Sequence, residues 1–393
     1  MKSAASSRVP DAASAIASLP LRGGKRLVRL QLIACLATVS AAHFMDLGPE
    51  AESIMLILVA SMLSVILTTP IVIKVAFLLG AVDHPDARRI HSTPTPRIGG
   101  VAVGFGVLIA LVLTSYRFMP NIQAMLIGSF VMLLVGVMDD IRQMRASLKL
   151  SMQLIACALV IASGIHISFL PPTGWGTIGR WLITAIWIIG ITNAINFLDG
   201  MDGLVSGLVA STGLVYLILS LFLGSNILSY TSAALIGATL GFLGYNLKPA
   251  RVFLGDGGST FLGFFVAVLS VQGSWAEDNP LVSFCIPLLV LSVPIYDMIF
   301  TTVARILRGD VYSFKTWIEY TGKDHLHHRM EALGLTRGYV VTLICFLNLA
   351  VGIGAVALLK APTHIGIALV VQAICIYAII AILEIMGRKK QTT

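Results

Sequence analysis

Asp139 and Asp140 close one long apolar stretch of this chain, Asp199 and Asp202 follow another, Asp256 a third, and His325, His327, His328 and Arg329 a fourth. Carboxylates hold hard cations, and neighbouring Arg, Lys and His side chains take up phosphate. Groups of these kinds gathered at one bilayer surface suit a metal-dependent reaction on a phosphorylated substrate at the lipid boundary.

Adjacent side chains on a helix diverge by about 100°. At Gly136 to Arg142, one aspartate can therefore face a cation or phosphate while the other meets Arg142, Arg145 or Lys149; a solvated, charge-flanked helix end is the alternative. In Asn193 to Gly203 (NAINFLDGMDG), two Asn, two Asp and two Gly interrupt apolar sequence. Such groups are costly to bury unpaired, so the segment is either a ligand-facing loop or a polar turn. In Val252 to Thr260 (VFLGDGGST), Asp256 stands at a Gly-Gly-Ser helix start, where backbone N–H groups favour anions and the carboxylate can ligate Mg²⁺ or simply cap the helix. The loop 305 to 337 brings three histidines with no cysteine or acidic pattern of a zinc site, which favours phosphate contact. Asp297 is the one ionisable group read as lying inside a span, a functional candidate unless it pairs with Arg305 or backbone. Asp83, Asp86, Arg88, Arg89, His91 and Arg97 precede Gly99-Gly100 and either line a substrate entrance or anchor helix ends.

The elements that must position these groups follow from composition. With 57% hydrophobic and 12% charged residues in 393, the chain falls outside the range of soluble globular proteins. The expected fold is all-α: a polytopic integral membrane protein of about 11–12 transmembrane helices. Twelve apolar segments are long enough to cross a bilayer, at 27–45, 52–79, 99–117, 121–138, 148–168, 180–197, 203–223, 229–246, 258–275, 281–304, 338–359 and 364–386. Alternating sides along this series puts all but Lys74, Arg117, Arg180 and Lys360 of the 27 Lys and Arg residues on one side, the cytoplasmic side by the positive-inside rule. Every motif above falls on that side. The net charge of +8 is thereby explained without a nucleic-acid partner. Residues 1–45 read as a basic leader and first span, with a cleaved signal peptide as the less favoured alternative. Residues 46–360 read as the catalytic core and 361–393 as the last span and basic tail. The five cysteines are scattered through apolar segments as packing residues. A transporter would fit the span count but needs mid-membrane polar groups and internal repeats, which the sequence lacks apart from Asp297.

Taken together, PRIGG at 96–100, Asp139/Asp140, NAINFLDGMDG at 193–203, VFLGDGGS at 252–259 and DHLHHR at 324–329 resemble the polyprenyl-phosphate N-acetylhexosamine-1-phosphate transferase family. Its members start O-antigen, enterobacterial common antigen and teichoic acid linkage synthesis, and include the phospho-MurNAc-pentapeptide translocase. The His-Leu-His-His-Arg form and the PRIGG loop look like the N-acetylglucosaminyl branch rather than the peptidoglycan one. The resemblance implies transfer of a sugar 1-phosphate from a UDP-N-acetylhexosamine to undecaprenyl phosphate, with Mg²⁺ or alternatively Mn²⁺ as cofactor. It further implies a bacterial inner-membrane protein with a cytoplasmic active site, and leaves a homodimer open. By the same analogy Asp256 is the main metal ligand, with Asp140 beside it. Asp139 and Asp140 orient or deprotonate the lipid phosphate. Asn193, Asn196, Asp199 and Asp202 form the nucleotide pocket with Phe253 as a uracil-stacking candidate, and His325, His327, His328 and Arg329 take the diphosphate or sugar.

Overall fold

The structure, a computed structural model, describes residues 28–33, 35, 37, 48–83, 94–112, 119–167, 170–171, 173–273, 275, 279–313, 316–317, 320, 322 and 324–392. The leader 1–27 and the loop residues Asp86, Arg88, Arg89 and His91 lie outside these. Thirteen helices of at least seven residues follow one another among the described residues: α1 (Pro49–Leu79), α2 (Gly100–Val112), α3 (Pro120–Ile141), α4 (Ala146–Ala162), α5 (Gly174–Phe197), α6 (Leu204–Leu223), α7 (Asn226–Asn246), α8 (Gly255–Gln272), α9 (Pro280–Val290), α10 (Ser292–Arg308), α11 (Leu326–Ala332), α12 (Arg337–Leu358) and α13 (Thr363–Thr392). A two-residue antiparallel ladder pairs Val82 and Asp83 (β1) with Pro96 and Thr95 (β2). The chain is an all-α polytopic membrane protein.

Seven of these helices are long and apolar enough to cross a membrane, or eight if α9 and α10 form one bent span. Of the twelve expected crossings, the first, 27–45, lies largely outside the described residues. The segments 99–117 and 148–168 are helical over Gly100–Val112 and Ala146–Ala162, shorter apolar helices of 13 and 17 residues among the described residues. The segment 281–304, read as one span, is broken at Leu291 and bent by 80°. Pro294 explains the break: it has no N–H to donate, and its ring crowds the carbonyl four residues back, at Val290.

Beyond that break α10 is polarised. Asp297, Thr301 and Arg305, spaced four residues apart, are buried, while Ile299, Val303, Ile306 and Leu307 are exposed. In a bilayer this places polar groups against protein and apolar ones toward lipid, the reverse of a soluble helix.

Helix α8 is the central post, buried over nearly its whole length and packed on α2, α3, α5 and α6. Small residues allow the close approach. A Cβ on Gly136 of α3 would sit 2.4 Å from the Asp256 carbonyl oxygen, and one on Gly263 would sit 2.9 Å from Thr192 of α5. Where lipid gives helices no hydrophobic reason to associate, such backbone-to-backbone packing supplies the attraction. Because α8 starts where α3 and α5 end, the termini of three helices meet in one place.

Candidate active site

The β2 strand and the VFLGDGG segment run side by side through backbone hydrogen bonds. Phe253 N–H donates to the Pro96 carbonyl at 2.8 Å, Gly99 N–H to the Phe253 carbonyl at 3.0 Å, and Gly100 N–H to the Leu254 carbonyl at 2.8 Å. Gly255, which opens α8, has φ 74°, and a Cβ there would lie 1.8 Å from the Arg97 carbonyl oxygen; only glycine fits both demands. Two of the sequence motifs are thus one structural unit that aims the first turn of α8.

Asp140 holds that turn. Its two carboxylate oxygens accept the N–H groups of Asp256 and Gly257, each at 3.1 Å, and Arg97 lies 3.8 Å away. A carboxylate at a helix N-terminus satisfies orphan donors and meets the positive end of the dipole. The Asp140 side chain is 0% exposed and that of Asp256 33%. Asp140, expected as a metal ligand beside Asp256, is therefore placed as the anchor of α8, and Asp256 is the carboxylate it presents.

Around Asp256 the expected residues converge. Lys149, at the start of α4, contacts the Asp139 carboxylate and lies 3.3 Å from Asp256 Oδ2. Asp139 also accepts the Met144 N–H at 2.6 Å. Asn196, in the last turn of α5, donates to Ser259 Oγ at 2.8 Å and to Asp256 Oδ1 at 3.4 Å. Asp199, in the turn after α5, faces the same cluster. Burial first, then the charges of Asp256 and Asp140, push its carboxyl well above the usual carboxylate range, with Arg97 opposing them. A group of carboxylates that repel one another in this way is a ready seat for positive charge.

The remaining expected residues take other places. Asn193 exchanges hydrogen bonds with Gln153 of α4, at 3.1 and 3.2 Å, and donates to the Ile189 carbonyl. This amide pair joins two apolar helices away from the cluster. Asp202 accepts the Ala250 N–H at 3.2 Å and ties the α5–α6 turn to the segment ahead of α8. Phe253 is partly exposed beside that segment.

The histidines come to the same turn. His327 is fully buried, and a Cβ on Gly200 would fall 2.1 Å from its Nε2. Neither ring nitrogen of His327 has a hydrogen-bond partner among the described residues. Burial, then the neighbouring His328, bring its imidazole down to about 3, so it is neutral at physiological pH. The His328 ring centre is 4.1 Å from that of His327, and its Nδ1 lies 3.9 Å from Glu331.

His325 is held from three sides. It stacks on Phe197 at 5.3 Å, its Nδ1 lies 2.7 Å from Asp297 Oδ2, and Arg305 Nη2 lies 3.2 Å from its Nε2. Arginine can only donate, so Nε2 accepts from Arg305 and Nδ1 carries the proton given to Asp297. Asp297 is thus paired with His325, and with Arg329 at 3.4 Å, while Arg305 forks onto Asp324 at 2.7 and 3.0 Å. Partial burial would raise the Asp324 carboxyl; hydrogen bonds from Arg305 and Arg308 outweigh it and hold it down to about 2. Arg329 is buried and bonded to Glu384 of α13 at 2.7 Å, so both His325 and Arg329 brace the loop.

Sequence reasoning missed Asn246 and Glu384. Asn246 accepts the Gly203 N–H and donates to the Val252 carbonyl, both at 3.0 Å, stapling two motif segments; a lone amide ending an apolar span was its signal. Glu384 is a buried carboxylate inside an apolar segment, 364–386, as Asp297 is inside 281–304.

As to a cation, no three His, Cys, Asp or Glu side chains among the described residues stand close enough to cage one. The donors near Asp256 are hard oxygens. They fit an ion such as Mg²⁺, which keeps waters and binds one or two carboxylates together with substrate phosphates.

Comparison with known proteins agrees with this geometry. Residues 122–274, from α3 to just beyond α8, match the family described as glycosyl transferase family 4. A Bacillus subtilis protein named as a probable undecaprenyl-phosphate N-acetylglucosaminyl 1-phosphate transferase is 34% identical over 337 residues, 84% of this chain and 91% of the relative. The Mycobacterium tuberculosis decaprenyl-phosphate N-acetylglucosaminephosphotransferase is 29% identical, covering 86% and 91%. The Salmonella typhi undecaprenyl-phosphate alpha-N-acetylglucosaminyl 1-phosphate transferase is 28% identical, covering 72% and 79%. With likeness running through nearly the full length of such relatives, and the motif residues gathered at one set of helix ends, the chain belongs to glycosyl transferase family 4.

Proposed function

We propose that this protein transfers N-acetylglucosamine 1-phosphate from its UDP-sugar to undecaprenyl phosphate, at the cytoplasmic face of a bacterial inner membrane, as the first step of a lipid-linked envelope glycan. The observation that carries this reading is the convergence of Asp139, Asp256, Asn196, Asp199 and Lys149 at one cluster of helix termini, with the histidine loop seated on the same turn at Gly200. The names of the full-length relatives support the same substrate class.

In this reaction an oxygen of the lipid phosphate attacks the sugar-linked phosphorus. A new P–O bond forms, the bond to the bridging oxygen breaks, and UMP leaves with the electron pair. Both reactants are anionic, so the protein's task is positioning and charge compensation rather than bond chemistry of its own. Asp256, the more open carboxylate, with Asp199 facing it, would hold Mg²⁺, which offsets charge on the diphosphate when bound. Lys149 adds a fixed positive charge between the Asp139 and Asp256 carboxyls, which also interact with each other. Asp140 orients the α8 turn, and Asn196 fixes Asp256 through Ser259. His327 supplies a neutral N–H donor for a phosphate oxygen, which would end the cost of one of its two unpartnered nitrogens.

Purified protein in nanodiscs with undecaprenyl phosphate, Mg²⁺ and a panel of UDP-sugars should release UMP with UDP-N-acetylglucosamine in step with a lipid diphosphosugar. Release with none of the panel, or release that does not depend on the lipid phosphate, sinks the reading; preference for UDP-MurNAc-pentapeptide would move the chain to the peptidoglycan branch. His327→Ala should raise KM for the nucleotide sugar by roughly tenfold, the worth of one buried hydrogen bond to a charged group, with KM for the lipid unchanged. Because the wild-type ring is already neutral, that ratio should hold from pH 6 to 8. Equal KM values in the two proteins would return His327 to a packing role.

A further inference from the structure

Glu384 lies in the last helix, beyond residues 122–274, in a segment otherwise free of charge from Thr363 to Met386 apart from His364. An isolated carboxylate there is expensive and needs a partner. Its partner is Arg329 of the histidine motif: Arg329 Nε donates to Glu384 Oε2 at 2.7 Å, with the two side chains 3% and 2% exposed. The guanidinium also donates through Nη1 to Thr301 Oγ1 at 3.0 Å and to the Asp324 carbonyl at 2.5 Å. Its Nη2 lies 3.4 Å from Asp297, and its plane lies over the Phe300 ring at 4.3 Å. Asp297 in turn receives His325 Nδ1 and the Leu326 N–H.

The α10 side of this assembly is fixed to the same helix. Tyr296 hydroxyl donates to Glu384 Oε2 at 3.4 Å, its ring stacks on Tyr377 of α13 at 4.6 Å, and the Tyr377 hydroxyl lies 2.8 Å from Ser292 Oγ at the helix break. The last helix therefore grips the broken helix at Ser292 and Tyr296, and the histidine loop at Arg329. One buried carboxylate touches both.

We propose that Glu384 is a positioning residue for the transfer reaction. Through Arg329 it holds the loop 324–332, and with it His325 and His327, against the Gly200 turn where the donor's diphosphate is bound. The proposal rests on the reaction assigned above for its kinetic part, and on the geometry alone for its structural part. Breaking one partner of a buried pair leaves the other charge uncompensated, and the displaced element should be the one that Arg329 holds.

The test uses the full chain in nanodiscs, comparing wild type with Glu384→Gln, which keeps an oxygen acceptor but removes the charge, and with Glu384→Asp, which keeps the charge on a shorter arm. In Glu384→Gln, hydrogen–deuterium exchange should rise in peptide 324–332 and stay unchanged in 255–260, and His327 should become reactive to diethylpyrocarbonate. KM for UDP-N-acetylglucosamine should rise by roughly 10- to 100-fold, the scale seen when a partner that orients a ligand-holding side chain is removed, with KM for undecaprenyl phosphate unchanged. Glu384→Asp should fall between, and carries the test alone if the glutamine variant does not insert. Unchanged exchange at 324–332 overturns the proposal, as does a parallel rise in both KM values with a general loss of thermal stability. Should wild type transfer no sugar phosphate at all, the reaction reading fails while the exchange and labelling arms still decide whether Glu384 holds the loop.

Discussion

Asp256→Asn is expected to reduce UMP release by roughly 10³-fold or more, the upper range for deleting a group dedicated to compensating charge in the transition state, while the protein inserts and melts as wild type does. The folding half of this expectation follows from where the α8 turn gets its support. Asp140 binds the backbone N–H groups of residues 256 and 257, and these are untouched by a change in the side chain. The side chain itself receives long contacts from Asn196 at 3.4 Å and Lys149 at 3.3 Å, and shares a hydrogen bond with the Asp139 carboxyl that an amide can still donate. Asparagine can keep one oxygen for Asn196, and it relieves the mutual repulsion of Asp256 and Asp199. The catalytic half follows from charge: an amide is a far poorer partner for a divalent ion than a carboxylate. The measurement is UMP release at saturating substrates with Mg²⁺ titrated from micromolar to tens of millimolar, alongside a melting curve. Wild-type turnover would remove Asp256 from the metal role. A melting point well below wild type would instead make it a structural residue of the turn.

Much of this site was legible because membrane sequence is strict about where polar groups go. Asp139, Asp140, Asn196, Asp199 and Asp256 stand at the ends of apolar runs, and helix ends on one side of a bundle are near one another by construction. What the sequence does not encode locally is which way each side chain turns. Asp139 and Asp140 are neighbours with different tasks, one meeting Lys149 and the other closing the N-terminus of α8, because 100° of helix rotation separates them. Asn193 looks as polar as Asn196, yet one turn earlier on α5 it meets Gln153 on a neighbouring helix. His325 and Arg329 sit in the motif that addresses the substrate by resemblance, and both are spent on Asp297, Asp324 and Glu384. Asp297 and Glu384 lie 28 and 55 positions away, a spacing that no local pattern carries. The break before α10 was signalled by Pro294, but a continuous hydrophobic run masks a bend, since hydropathy measures length along the chain and not its direction.

The glycines of the motifs carry a second large expectation, that Gly100→Ala prevents normal folding. At Gly100 an added Cβ would lie 2.1 Å from Gly258 Cα and 2.2 Å from Gly258 N. Both are backbone atoms, so no side chain can swing aside. Relief requires α2 and α8 to separate, and α8 cannot move alone, because a Cβ on Gly136 of α3 would already lie 2.4–2.5 Å from the Asp256 and Gly257 backbone. Overpacking a core typically costs about 1–3 kcal/mol, and contact between backbones belongs at the top of that range. The loss should appear as a lower melting temperature and poor recovery of monodisperse protein in mild detergent, and any protein recovered should have lost UMP release along with the aim of the α8 turn. Gly190→Ala is the matched control. It lies mid-helix in α5 with nothing within 4 Å of the added Cβ, so the same substitution should be neutral or slightly stabilising there, as alanine is the better helix former. If both variants melt alike, the pairing of the PRIGG and GDGG segments is not the joint that aligns Asp256, and the site's rigidity must come from Asp140 and the Asn246 staple instead.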